Sequence, residues 1–136
     1  MRDFVNQKSK LLKPSGIRKF FDIVRETEGA ISLGVGEPDF VTPWHIREAA
    51  IESLEKGKTY YTSNAGMTEL RTEISKYMKR KFNLEYCPNG EIVVTVGGSE
   101  AIDIAMRTIL EPGDEVILPV PSFVCYEPIA KMIGAK

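Results

Sequence analysis

Thr95 to Ala101 reads TVGGSEA, two glycines and a serine placed where an apolar run gives way to an amphipathic stretch. Two readings suit that spacing. One is a tight turn, because glycine adopts backbone angles that other residues resist. The other is an anion site. A helix beginning here aims the N–H groups of Gly98, Ser99 and Glu100 at one point, together with the positive end of its dipole. Glu100 is compatible with such a site, since only its N–H must face the anion and its charge favours a helix start. Two better-known phosphate chemistries do not fit. GVGEPD (Gly34–Asp39) lacks the third glycine of a dinucleotide fingerprint, and Pro38 and Pro43 stand where a helix should follow at once. GGSEAID has neither the lysine nor the neighbouring hydroxyl of a P-loop.

The other reactive side chains are scattered. His45 follows Trp44 at a helix start with no second titrating group near it in sequence, so packing or capping is the expected role. Trp44 reads as a packing anchor. Cys87 and Cys125 are isolated, with no C-x-x-C spacing and no histidine beside them, which points away from a metal site and towards a reducing cytosol. Cys125, two residues past Phe123, reads as a small buried hydrophobe.

Those residues need elements to position them. At 136 residues, 43% hydrophobic and 27% charged, the chain matches one ordinary globular domain. Its net charge of −1 gives no electrostatic reason to expect nucleic acid or an anionic membrane as partner. No run approaches the ~20 apolar residues of a membrane helix. MRDFVNQKSKLLKPSG lacks the apolar core of a signal peptide, and a cytoplasmic protein is expected. Ser15 is placed to cap a helix with Ile17, Phe20, Phe21 and Val24 on one face. Ile31 to Pro43 is punctuated by glycine and proline and has no helical period. Thr42-Pro43 signals a second helix, with Ile46, Ala50 and Leu54 as its apolar face and Gly57 as its end. After the loop KTYYTSNAG, a third helix aligns Leu70, Ile74, Tyr77, Met78 and Phe82.

Ile92–Val96 and Val116–Val120 are continuous apolar runs, as expected of strands covered on both faces. Between them Ala101, Ile102, Ala105, Met106 and Ile109 form a helical stripe, with Asp103 and Arg107 as an outward i, i+4 pair. EPGDE (Glu111–Glu115) supplies a turn. Strand, helix, strand predicts a βαβ unit with parallel strands and a right-handed crossover. In that topology Gly97-Gly98-Ser99 and Pro121-Ser122-Phe123 emerge at the same sheet edge, where ligands of open α/β sheets bind. An anion cradle beside the Phe123 ring suits a flat, phosphorylated, ring-containing cofactor.

Four phrases, ISLGVGEPDF.TP, TYYTSNAGMTELR, IVVTVGGSEAI and PGDEVILPVPSFVCY, resemble in order and spacing the N-terminal part of the fold-type-I pyridoxal-phosphate aminotransferases. The aspartate and aromatic enzymes of class I/II are the nearest in kind, and the resemblance runs from about Pro14 to the last residue. It implies an α/β fold in three layers, α/β/α, around a mainly parallel sheet. It also implies an arm and small-domain helix over residues 1–30, a linker over 31–44 and the start of the large cofactor-binding domain over 45–136. Pyridoxal 5'-phosphate is the implied cofactor, an L-amino acid and a 2-oxo acid the substrates, amino-acid metabolism the setting and a homodimer the assembly. By the same resemblance Gly98, Ser99 and Glu100 match the stretch that holds the cofactor phosphate, and Phe123 the residue that stacks on the pyridine ring. Gly36 matches the glycine against the substrate α-carboxylate, and Tyr61 a tyrosine that reaches the phosphate of the neighbouring subunit's cofactor.

The family's Schiff-base lysine, its pyridine-pairing aspartate and its substrate-binding arginine find no match in these 136 residues. None of Lys56, Lys58, Lys76, Lys79, Lys81 or Lys131 stands in the required context. The resemblance therefore implies an N-terminal piece of an aminotransferase, inactive by itself and holding no catalytic residue of its own. Carbon–sulfur lyases and aminocyclopropane carboxylate synthases share these motifs and remain alternatives, as does an α/β fragment that binds phosphate without turnover.

Overall fold

A computed structural model describes residues 3–29, 31, 36 and 38–136. Among them the chain forms six helices: α1 (Gln7–Lys10), α2 (Ile17–Glu26), α3 (Trp44–Glu55), α4 (Thr68–Phe82), α5 (Gly98–Ile109) and α6 (Tyr126–Ile133). Most of their ends follow from local chemistry. Asn6 caps α1, its side-chain oxygen accepting the Lys8 N–H at 2.8 Å. Gly16, not Ser15, occupies the N-cap of α2, yet the Ser15 hydroxyl still accepts the Ile17 N–H at 3.4 Å. Pro43 sits at the N-cap of α3, one place before the first helical residue. Asn83, in the left-handed conformation that asparagine tolerates, stops α4.

Two compact units form, one from Met1–Glu37 with Gly97–Lys136 and one from Pro38–Val96. In the first, α6 packs against α5 and α1 and contributes the buried Ala130 and Ile133. Lys8 reaches the end of α6 and donates to the Ile133 carbonyl at 2.7 Å, a cation at the negative end of the helix dipole. The last residues fold back on the turn after α5: Gly113 N–H donates to Gly134 O at 2.9 Å, Lys136 N–H to Asp114 O at 2.7 Å, and Val116 N–H to Lys136 O at 2.9 Å. In the second unit, Arg71 of α4 is buried and ties neighbouring loops together.

The expected parallel strands do not form. Among the described residues no β-strand is present, and Ile92–Val96 and Val116–Val120 run as non-helical segments without a ladder. A strand exists only through repeated pairing with a neighbour. Here the runs make links such as Val94 N–H to Ala65 O and Val116 N–H to Lys136 O, which do not amount to a ladder. The two runs also fall in different compact units. The apolar side chains consequently stand open: Val96 is 91% exposed, Ile117 95% and Val120 87%. The helix expected between the runs is present as α5. Of the extended segment Ile31–Pro43, residues 32–35 and 37 lie outside the described residues.

Candidate functional site

Gly97 decides where α5 begins. Its φ of 82° and ψ of 172° are open to glycine and strained for any residue with a side chain, and it is the N-cap of the helix. A Cβ placed there meets nothing within 4 Å, so the demand for glycine comes from the backbone and not from crowding. Gly98, Ser99 and Glu100 then form the first helical turn, at the positive end of the α5 dipole. All three residues are exposed, and the Glu100 carboxylate sits at the end of the dipole that favours it.

The Ser99 hydroxyl lies 3.7 Å from the Cys125 sulfur. That contact brings the first turn of α5 beside the segment leading into α6, for which Cys125 is the N-cap. Two residues earlier, Phe123 is 47% exposed, its ring packed edge-on against Tyr126 with centroids 5.8 Å apart. The Val120–Pro121 peptide just before it is cis. Phe123 also lines a cavity of about 650 Å³, shared with Lys13, Ser15, Ser122 and Glu127. The Glu127 carboxyl is held below the ordinary glutamate range by its hydrogen bond and charge interaction with Lys131. Chemically, this corner offers a helix start for an anion and a half-open aromatic face beside a roomy pocket.

The structure juxtaposes Ser99 with Cys125, two residues past Phe123. Cys125, expected as a small buried hydrophobe, is only half-buried, and its sulfur meets the Ser99 hydroxyl. Gly36 is exposed, with open space where a Cβ would stand. Tyr61 belongs to the other unit, and its ring is fully exposed. Trp44 differs from the expected buried anchor: it is 59% exposed, with the Arg47 guanidinium 5.3 Å from its ring centre.

Sequence reading passes over Lys13 and gives Ser15 only a capping role; the place of both in the Phe123 cavity depends on a fold-back that KPSG does not announce. It also passes over Arg71. That guanidinium donates to Gly66 O at 3.2 Å, to Thr68 Oγ1 at 3.1 Å and to Pro88 O. No local pattern distinguishes it from the exposed cations that follow on α4. Among the described residues no cluster of histidine, cysteine, aspartate and glutamate could hold a metal ion, and no helix is long and apolar enough to cross a membrane.

Residues 28–136 match the family model described as aminotransferase class I and II. The chain is 56% identical over 134 residues to Bacillus subtilis YugH, provisionally named an aminotransferase, covering 98% of this chain and 34% of that protein. It is 46% identical over 126 residues to an aspartate aminotransferase of Pyrococcus abyssi, covering 93% and 32% respectively. Among solved structures, a Thermus thermophilus aspartate aminotransferase variant superimposes with a TM-score of 0.85 at 37% identity, covering all of this chain and 36% of that one. The chain spans about a third of the length of the curated relatives it matches.

Proposed function

This chain belongs to the class I and II aminotransferase family, and from that premise we propose that it forms the N-terminal part of an enzyme moving an amino group between an L-amino acid and a 2-oxo acid. The observation that carries the reading is the meeting of the α5 start with the Phe123 segment through Ser99 and Cys125. Pyridoxal 5'-phosphate fits what is there: an anion-ready helix start with open space at Gly97 and Gly98, and a half-open phenyl ring nearby. When bound, that group supplies an electron sink for bond cleavage at the amino-acid α-carbon.

The residues of this chain bind and orient. Gly98, Ser99 and Glu100 hold the phosphate through their N–H groups, and Phe123 stacks on the pyridine ring and fixes its plane. Gly36 lies along the substrate α-carboxylate. Tyr61, with its exposed ring, reaches the phosphate in a second subunit, so the assembly is a homodimer. Residues 1–30 supply an arm and helix of a small domain, 31–44 the linker, and 45–136 the start of the cofactor domain, whose Ile92–Val96 and Val116–Val120 runs join a mainly parallel sheet. Free Cys87 and Cys125 suit a reducing cytoplasm.

The test uses the full-length protein containing these residues, supplied with pyridoxal phosphate, a ¹⁵N-labelled amino acid and a 2-oxo acid. Transfer of the label into a new amino acid is the expected result. Release of the label as ammonia, with a 2-oxo acid and a thiol from sulfur-containing substrates, would instead make the protein a lyase.

A further inference from the structure

Resting on the proposed role of Tyr61, we propose that Arg71 is the positioning residue for that tyrosine, acting through the loop that ends at Gly66. Arg71 is 6% exposed, and its three hydrogen-bond acceptors are two backbone carbonyls and a hydroxyl. Burying a guanidinium is costly unless its donors are satisfied, and here no carboxylate is among those acceptors to repay the desolvation. What the burial achieves is a three-way tie. Nε holds Gly66 at the end of the loop, one Nη holds Thr68 at the start of α4, and the other holds Pro88 in the turn leading to Ile92–Val96. Two further contacts lock the same point. Val94 N–H donates to Ala65 O at 2.9 Å. Gly66, with φ of 94°, lies so close to Val94 that a Cβ there would fall 2.6 Å from the valine Cβ.

The loop is therefore fixed at its C-terminal end, while Tyr61, five residues earlier, presents a fully exposed ring. Among the described residues nothing packs around the Tyr61 ring to orient its hydroxyl. Its placement must come from the backbone that carries it, and binding groups need placement to within about 0.5 Å. Lysine at position 71 keeps the charge but cannot span three acceptors in a planar fork.

A double-mutant cycle in the full-length protein tests the idea, with the pyridoxal-phosphate dissociation constant, kcat and thermal midpoint measured for each variant. Tyr61→Phe is expected to weaken cofactor binding by about tenfold. Arg71→Lys is expected to weaken it comparably, and the double variant to be no worse than Tyr61→Phe alone, because both changes remove one interaction. Thr68→Val, a milder loss of one acceptor, should move the dissociation constant in the same direction and show the same coupling, and it carries the test should Arg71→Lys not fold. Independent, multiplying effects would overturn the proposal, as would a lower thermal midpoint with cofactor affinity intact. If Tyr61→Phe alone leaves the affinity unchanged while labelled amino transfer persists, the role of Tyr61 falls and that of Arg71 with it, the aminotransferase reading still standing.

Discussion

Single residues differ sharply in how openly the sequence announces them. Phe123 is a candidate that the sequence offers openly, because an aromatic residue just past an apolar run and level with a glycine-rich helix start would face a ligand if the two runs joined a parallel sheet. Phe123→Ala in the full-length protein is expected to weaken cofactor retention and shift the cofactor's absorbance. Stacking alone contributes about 0.5–1.5 kcal/mol beyond area burial, and equilibrium titration followed by spectroscopy measures both effects. Arg71 is illegible for the opposite reason: its role depends on Pro88, distant in sequence, and on a loop end that only folding brings within reach. Glu127 gives a test of the charges around the Phe123 cavity. Hydrogen bonding to Lys131, then charge, keeps its carboxyl below the ordinary glutamate range. A carboxylate lowered in the folded state contributes stability above its unfolded value and loses it as pH falls through the folded one. The pair on α6 is thus intact at neutral pH and is lost only in acid below the usual glutamate range. An NMR titration should place the Glu127 midpoint under that of an unpaired glutamate and return it towards that value in high salt. A midpoint at the ordinary value in low salt would show that the pair does not persist.

At the scale of elements, α2 to α5 were legible, while the short α1 was not and the expected strands did not form. A helix satisfies its own backbone, so period and end signals in a short window suffice, as at Pro43 before α3. The Ser15 cap missed by one place because a serine and a glycine stand side by side and either can precede a first turn. A strand is defined by its neighbour, and the apolar runs at 92–96 and 116–120 carry no information about which segment pairs with them. Gly97 is the element-level residue with the clearest consequence. Gly97→Ala puts a side chain at φ 82°, ψ 172°, a conformation that costs about 1–3 kcal/mol for residues other than glycine. Gly98→Ala, next to it, is in the helix with open space around the new methyl and carries no such strain. Urea unfolding should therefore show a clear loss for Gly97→Ala and little change for Gly98→Ala. Equal losses would mean that the α5 start does not depend on the positive-φ conformation of Gly97.

For the whole molecule, the deciding fact is how much apolar surface the described residues leave open. Among them only Ala130, Ile133 and Arg71 are buried, while Ile31, Phe40, Val96, Ile117 and Val120 are each 87% exposed or more. Residues of these types in continuous runs are the usual content of strands covered on both faces. The curated relatives are about three times as long, and an aspartate aminotransferase structure superimposes on this chain, which fits the proposal that further sheet and a second subunit cover these runs. Apolar patches left uncovered drive association in water. The 136-residue chain on its own is therefore expected to self-associate at micromolar concentration, as dimers or larger species, and to transfer no amino group. Sedimentation velocity with the chain alone measures the first point. A single species at 15.2 kDa across a hundredfold concentration range would refute it. Borohydride reduction in the presence of pyridoxal phosphate, followed by peptide mass mapping, measures the second. Scattered, substoichiometric labelling of exposed lysines is expected. One lysine modified stoichiometrically, together with amino transfer to a 2-oxo acid, would show that these residues hold a working centre by themselves.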